Sequence, residues 1–308
     1  MVYLPRLLLL GGLLAARATL AQTPTPPAPT DTAPVLIARE WRSSFRAGLN
    51  LNQAALSSNW RGGGVNTIGL NSLLNAKAGY RRGKHSWDNE ADFLFAFVKN
   101  EGQGYRKTQD RLYLDTKYGR AISSQWSLFA SLNVLSQFAN GYRYVEDGGT
   151  ERAELVSGAL APTFITAAYG FEYRPNTWSN VRFSPFAPRV TLVGRADRFR
   201  PALGDTPYGV RPGRSARWEV LAAQVLAELD KDVATNVNLK ARYLLFANYE
   251  TLALRTIDHR LDLALTAKVN RYINVALTGI ALYDRDQDQE IQYSQGLTLG
   301  LLYTLQNY

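Results

Sequence analysis

The sequence predicts an all-β fold: a transmembrane antiparallel β-barrel of about 12 strands. Three observations predict it. From Trp41 onward, stretches of roughly 10–14 residues alternate apolar and polar side chains and then break at a turn. These stretches exceed the soluble average of about 5–6 residues and suit a tilted membrane crossing of about 9–11. The connections between them alternate between short and long, as in bacterial barrels with short periplasmic turns and long external loops.

The alternation is plainest near the C-terminal third. Val237, Leu239, Ala241, Tyr243, Leu245, Ala247 and Tyr249 fall on one parity, and Asn238, Lys240, Arg242, Asn248 and Glu250 on the other. Period two gives a strand two different faces. Arg or Lys on the lipid side at the bilayer midplane costs roughly 2–4 kcal/mol, so the charged parity is expected to face inward.

The strands centre near Phe45, Leu74, Phe95, Leu114, Leu132, Ala167, Leu192, Ala223, Tyr243, Leu265, Leu277 and Leu301. In the first, Trp41, Phe45 and Leu49 oppose Arg42, Ser44, Arg46 and Asn50. In the second, Leu70, Leu74 and Ala76 oppose Asn71, Asn75 and Lys77. In the third, Ala91, Phe93 and Phe95 oppose Asp88, Glu90 and Asp92. The fourth places Arg111, Asp115 and Lys117 on the inward parity, and the tenth Arg260, Asp262, Thr266 and Lys268. Pro185 and Pro188 interrupt the seventh strand, where a bend is expected, and Gln224 and Glu228 blur the parity of the eighth.

Short turns are expected near Gly83, Ser123, Asn176, Asp232 and Arg271. Longer loops are expected over about Asn52–Asn66, Asn100–Asp110, Ala139–Pro162, Phe199–Ala216, Asn248–Asp258 and Asp284–Gln292. Trp41, Tyr80, Trp87, Tyr118, Trp126, Tyr173, Tyr249, Tyr272, Tyr283 and Tyr303 sit toward strand ends, where aromatic rings favour the headgroup level; ordinary β-propensity is the competing account.

The organisation follows. Residues 1–21 read as a secretory signal peptide, with Arg6, the apolar run Leu7–Ala16 and a small-residue cleavage site at Thr19-Leu20-Ala21. Residues 22–40 form a Pro-rich periplasmic linker, and residues 41–308 the barrel. This places the chain in the outer membrane of a Gram-negative cell. The final strand, Leu297, Leu299, Leu301, Tyr303 and Leu305 on one parity, resembles the signal read by the barrel-assembly machinery, although Tyr308 lies on the other parity. Expected partners are outer-membrane lipid, that machinery, and small polar or anionic solutes.

Composition narrows the classes. Cysteine is absent, which removes disulfide and thiolate chemistry. The formal charge of +9 arises from basic residues dispersed through strands and turns, with no cluster of the kind a nucleic-acid binder needs, so nucleic acid is not an expected partner. The hydrophobic fraction of 46% is ordinary, as a barrel allows, since only alternate residues meet lipid.

Little points to an enzyme or a cofactor. His85 lies beside Arg81, Arg82 and Lys84, a poor setting for a metal. His259 starts the tenth strand near the outer rim, but the serine that outer-membrane phospholipases place two residues after their histidine is Leu261 here. The run Asp284–Glu290 has an acidic spacing like a calcium loop but lacks its glycine turn and a terminal glutamate at the right distance, so a solvated external loop is expected, with weak divalent binding as the alternative. No phosphate-binding glycine loop, CxxC or GxSxG occurs.

Several stretches resemble one family. The loop Leu56-Ser57-Ser58-Asn59-Trp60-Arg61-Gly62-Gly63-Gly64-Val65-Asn66 resembles an N-W-x-x-G-G segment of secreted Gram-negative proteins catalogued as domain of unknown function 3078. Lys84–Asn89, Arg106–Arg111, Ser136–Tyr142, Leu160-Ala161-Pro162 and Phe183-Ser184-Pro185 match further stretches in order. The resemblance implies an outer-membrane barrel with no known activity, and no functional residues carry over from it. Asn59 and Trp60 with Gly62, Gly63 and Gly64 predict a compact loop, read either as a plug or cap for the barrel mouth or as a folding turn around a packed Trp.

Two functions remain open, the first of them the leading reading. One is a passive pore for small polar or anionic solutes, lined by the inward residues Arg42, Arg46, Lys77, Asp88, Glu90, Asp92, Arg111, Asp115, Lys117, Lys240, Arg242, Arg260, Asp262 and Lys268. The other is a closed structural or interaction barrel whose external loops engage a partner, lipid or glycan. An outer-membrane lipid hydrolase is the disfavoured third. Twelve strands fall between small side-chain-filled barrels and open porins, so strand number does not decide.

Overall fold

The computed structural model describes residues 40–57, 65–270 and 272–306. The leader, most of the linker, and the loop residues Asn59, Trp60, Gly62, Gly63 and Gly64 lie outside the described residues.

Among the described residues sixteen strands occur: β1 (Trp41–Ala54), β2 (Thr67–Arg82), β3 (His85–Asn100), β4 (Arg106–Ala121), β5 (Trp126–Ser136), β6 (Gly141–Asp147), β7 (Thr150–Ser157), β8 (Thr163–Tyr173), β9 (Ser179–Phe186), β10 (Arg189–Leu192), β11 (Ala216–Glu219), β12 (Ala222–Ala234), β13 (Val237–Asn248), β14 (Asp258–Lys268), β15 (Ile273–Tyr283) and β16 (Gln292–Gln306). All but β6 and β7 belong to one antiparallel sheet closed by the pairing of β8 with β9. β9 continues as β10, and β11 as β12, so the wall is a closed ring of 12 staves. Closure leaves no exposed edge between neighbouring staves where they pair, the condition for crossing hydrocarbon with strands.

All twelve expected strand centres fall on these staves. The break between β9 and β10 lies at Ala187-Pro188. There the Ala187 amide donates to the Ala222 carbonyl and the Pro188 carbonyl accepts from Ala167, so the wall stays joined around a residue with no donor. Opposite, the ladder shifts between Tyr169 and Phe171. A Cβ on Gly170 would sit 2.0 Å from the Phe183 carbonyl oxygen, so only glycine permits the approach. The eighth expected strand is cleaner than its sequence suggests. Gln224 and Glu228 share a parity with the buried Leu226, and the odd residue on that face is the leucine.

β1 and β16 fasten the ring from Ser44↔Gln306 to Leu49↔Leu301, whereas β2 and β3 pair along their entire lengths. Short connections join β2–β3, β4–β5, β8–β9, β12–β13 and β14–β15 at one end. At the other end the β3–β4 connection is only 101–105 rather than a long loop over Asn100–Asp110, because Arg106–Asp110 is already strand. The amide of Gln103 donates to the Asn100 carbonyl, and Gly102 adopts φ 75° to close the turn.

Two of the long loops fold on each other. β6 and β7 form a hairpin turned by Gly148 and Gly149 at φ 59° and 81°, as a two-residue turn requires. The loop 193–215 carries a 3₁₀ turn (Ala196–Phe199), a short helix α1 (Arg200–Leu203) and a second 3₁₀ turn (Pro207–Gly209). Val193, Phe199 and Val210 are fully buried with Ala161 and Ala196, and Leu155, Leu203 and Tyr208 pack around them. Hydrogen bonds from Tyr208 to the Val156 carbonyl (2.6 Å) and from Arg143 to the Ala202 carbonyl (3.0 Å) tie the loop to the hairpin.

Candidate functional site: an ionic waist

The outer and inner faces of the wall are opposite in chemistry. Leu74, Leu132 and Leu277 are 44%, 46% and 47% exposed although each sits mid-stave. The aromatic rings Trp41, Tyr80 and Trp87 cluster at the short-turn end, with Trp41 and Tyr80 centroids 5.2 Å apart, and Trp126 stacks near Tyr173 at 4.8 Å. Across Ala47, Leu49, Leu74, Ile273, Leu301 and Tyr303 the outer wall carries a shallow, almost wholly apolar groove of about 840 Å³.

Charge is concentrated on the other parity. Asp92 accepts from Arg111 at 2.6 Å, and Lys117 meets Asp88 at 3.4 Å, both across the β3–β4 ladder. Arg111 also reaches Asp262 at 3.4 Å, and Arg242 reaches Glu90 at 3.1 Å. β4 and β14 stand six staves apart in the ring of 12, as do β3 and β13. These two ion pairs therefore join opposite walls across the enclosed space. The Arg242 guanidinium also lies 4.7 Å from the Tyr113 ring on β4 and 2.7 Å from Glu228 on β12.

A second knot centres on Arg182 of β9. It meets Asp115 at 3.4 Å, Glu228 at 3.2 Å and Glu172 at 3.6 Å. Glu172 in turn accepts from Lys117 at 2.5 Å, and Lys117 is 1% exposed. Buried charges survive only when paired and hydrogen-bonded, and here every group has at least one partner of opposite sign. Alternation places them: charges two residues apart on one stave share a face, and their neighbours across the ladder share it too.

The inward candidates divide into three sets. Asp88, Glu90, Asp92, Arg111, Asp115, Lys117, Arg242 and Asp262 enter the two knots, and Arg260 braces Asp262 at 2.8 Å. Lys77 and Lys240 pair more loosely, with Glu90 at 3.4 Å and Asp230 at 2.9 Å. Arg42, Arg46 and Lys268 make no ion pair among the described residues. Sequence reasoning did not single out Arg182 or Glu172. The signal was present: Asn180, Arg182 and Ser184 alternate with Val181 and Phe183, and Glu172 shares a parity with Thr166 and Ala168. It also missed a small apolar cluster of Phe129, Ala168, Ala187, Ala222 and Phe246 on the inward side, where the Arg189 guanidinium stacks 3.3 Å from the Phe246 centroid and pairs with Asp258 at 2.9 Å.

The two histidines sit in aromatic company. His85 Nδ1 lies 2.6 Å from the Tyr118 hydroxyl, and His259 Nδ1 lies 2.6 Å from that of Tyr243. In the acidic loop, Asp284 accepts from the Asp286 amide (2.9 Å) and the Gln287 amide side chain (2.6 Å), Asp288 accepts from the Glu290 amide (2.9 Å), and Asp286 pairs with Arg217. Burial pushes the Asp284 carboxyl above the usual carboxylate range, and the neighbouring Asp286 charge adds to this. Among the described residues, no group of three or more His, Cys, Asp or Glu could hold a metal ion.

Comparison with known proteins adds the following. No curated protein matches the sequence significantly. Among solved structures, the translocator domain of autotransporter NalP from Neisseria meningitidis is similar at 12% identity, covering 85% of this chain and 86% of that one with a TM-score of 0.36. The COG4313 outer membrane channel from Pseudomonas putida F1 is similar at 8% identity, covering 87% and 94% with a TM-score of 0.36. OccK11 (OpdR) of Pseudomonas aeruginosa is similar at 10% identity, covering 87% and 96% with a TM-score of 0.27. The barrel assignment rests on the strand pairing given above. Residues 51–142 match the family described as "Protein of unknown function (DUF3078)", a span that begins in β1, ends in β6 and takes in the Asn-Trp segment, Lys84–Asn89, Arg106–Arg111 and Ser136–Tyr142, while Leu160-Ala161-Pro162 and Phe183-Ser184-Pro185 lie beyond it.

Proposed function

We propose that this protein is an outer-membrane barrel closed at its waist, with its working surface on the packed external loops, and that it is not an enzyme. One observation carries the reading. Arg242–Glu90 and Arg111–Asp262 tie opposite walls together, so the path along the axis is crossed by paired side chains. The exposed leucine rows would face lipid, the aromatic rings would lie at the headgroups, and β16 would present its apolar row to the barrel-assembly machinery. The short turns would face the periplasm. A signal peptide over residues 1–21 and a linker over 22–40 complete the proposed organisation.

A passive route for small polar or anionic solutes is the second reading. It is favoured by the basic residues Arg42, Arg46 and Lys268, which no carboxylate neutralises among the described residues. Planar-bilayer recording separates the two. The closed reading expects no steady conductance from the native chain and its appearance in the Glu90→Ala/Asp262→Ala variant, which removes both cross-barrel carboxylates. Steady native conductance with an anion-selective reversal potential would instead establish the pore.

A further inference from the structure

Beneath the waist, in the half of the enclosure next to the short turns, the charge balance is uneven. Arg42 and Arg46 stand on β1, Lys77 on β2, Lys240 on β13 and Lys268 on β14. Arg46 is opposite Asn75, two positions from Lys77 on the neighbouring stave, so the two cations are diagonal neighbours on one face. Lys240 stands four staves from β1 and five from β2 round the ring of 12. Lys240 holds Asp230 at 2.9 Å, and the Asn238 amide also binds that carboxylate at 3.0 Å. Lys77 shares Glu90 with Arg242, and Asp232 takes the Asn238 amide at 2.9 Å. These five cations thus face Glu90, Asp230 and Asp232, while Asp88 and Glu172 in the same half are held by Arg81, Lys117 and Arg174.

We propose that this basic vestibule binds a small, free, multivalent oxyanion entering from the short-turn side. Three features favour that ligand. The low-dielectric wall focuses the field of the cations. Guanidinium and ammonium groups from opposite walls can grip several oxygens of one anion at once. The Glu90–Arg242–Glu228 layer lies directly beyond Lys77 and Lys240, so the bound anion would stop there. The site does not depend on whether the waist conducts, since binding and conductance are measured separately.

The test uses the full folded chain in detergent micelles, titrated calorimetrically with inorganic pyrophosphate at low ionic strength, with acetate as the monovalent control. Saturable binding of one pyrophosphate is expected, weak or absent with acetate. The Lys77→Ala/Lys240→Ala variant should weaken it by about tenfold or more, and Lys77→Arg/Lys240→Arg should restore it. Arg82→Ala/Lys84→Ala, which removes turn cations outside the enclosure, should leave it unchanged. Heat-modifiable gel migration confirms that each variant is folded. No saturable binding, or equal losses from the vestibule and turn variants, would overturn the proposal.

Discussion

In the wall, Leu74, Leu132 and Leu277 lie open while Lys117 and Arg182 are enclosed. In the two loops folded over the far end, Val193, Phe199 and Val210 are enclosed while Asp197 and Arg152 lie open. One chain therefore follows two opposite solvation rules. Apart from the small cluster around Phe129 and Phe246, the inward parity of the wall is held by paired charge. In the loops beyond it the ordinary hydrophobic effect gives a core of apolar side chains. The change of rule between β8 and the 193–215 loop marks where hydrocarbon would end.

The largest effects are expected from crossing the two rules. Arg182→Met leaves Asp115, Glu172 and Glu228 without their shared cation and should destabilise the barrel by about 3–5 kcal/mol. Phe199→Ala empties a fully buried site and should cost about 3–5 kcal/mol, but only within the loops. Heat-modifiability should report the first and limited proteolysis of residues 139–215 the second. If Phe199→Ala melted the staves as well, the two regions would be one cooperative unit and the comparison would fail. Next in size, Leu277→Arg puts a cation mid-stave on the outer face and should cost roughly 2–4 kcal/mol in a bilayer. The same change should be nearly silent if that face met water, which makes folding titrations in lipid vesicles the measurement that decides.

The smallest expected effect is one of pH. Because the folded structure raises the Asp284 carboxyl above its ordinary value, the folded state holds that proton more tightly than the unfolded chain. Loop stability should therefore be greatest at acid pH and fall as pH rises from the usual carboxylate range through the raised value. Hydrogen exchange across residues 284–290 should show this loss, and Asp284→Asn should flatten it. An unchanged slope in the Asn variant would assign the effect to another group.

The wall was legible in the sequence because each stave repeats its message: Arg42, Ser44 and Arg46 against Trp41 and Phe45, or Arg260 and Asp262 against Leu261 and Leu263, say which face is which at every second residue. The loop core was not. Val193, Ala196 and Phe199 keep a spacing of three over too short a run to mark an element, Val210 stands apart, and β6 and β7 have no continuous apolar face, so nothing local marks them as packed. The waist was half legible. Parity put Arg111 and Asp92 on one face, and their pairing follows from adjacent strands. The contacts of Arg111 with Asp262 and of Arg242 with Glu90 depend on how the ring closes, which no local pattern encodes.

The join between β1 and β16 has a further consequence for assembly. Among the described residues the first and last staves meet from Ser44↔Gln306 to Leu49↔Leu301, and all the other staves lie between them in sequence. A nascent chain that has not yet released Gln306 has two ragged borders and cannot fasten either to the other. The hoop can be buckled only once its final stave has been made, so any shorter stretch of the chain keeps both borders open.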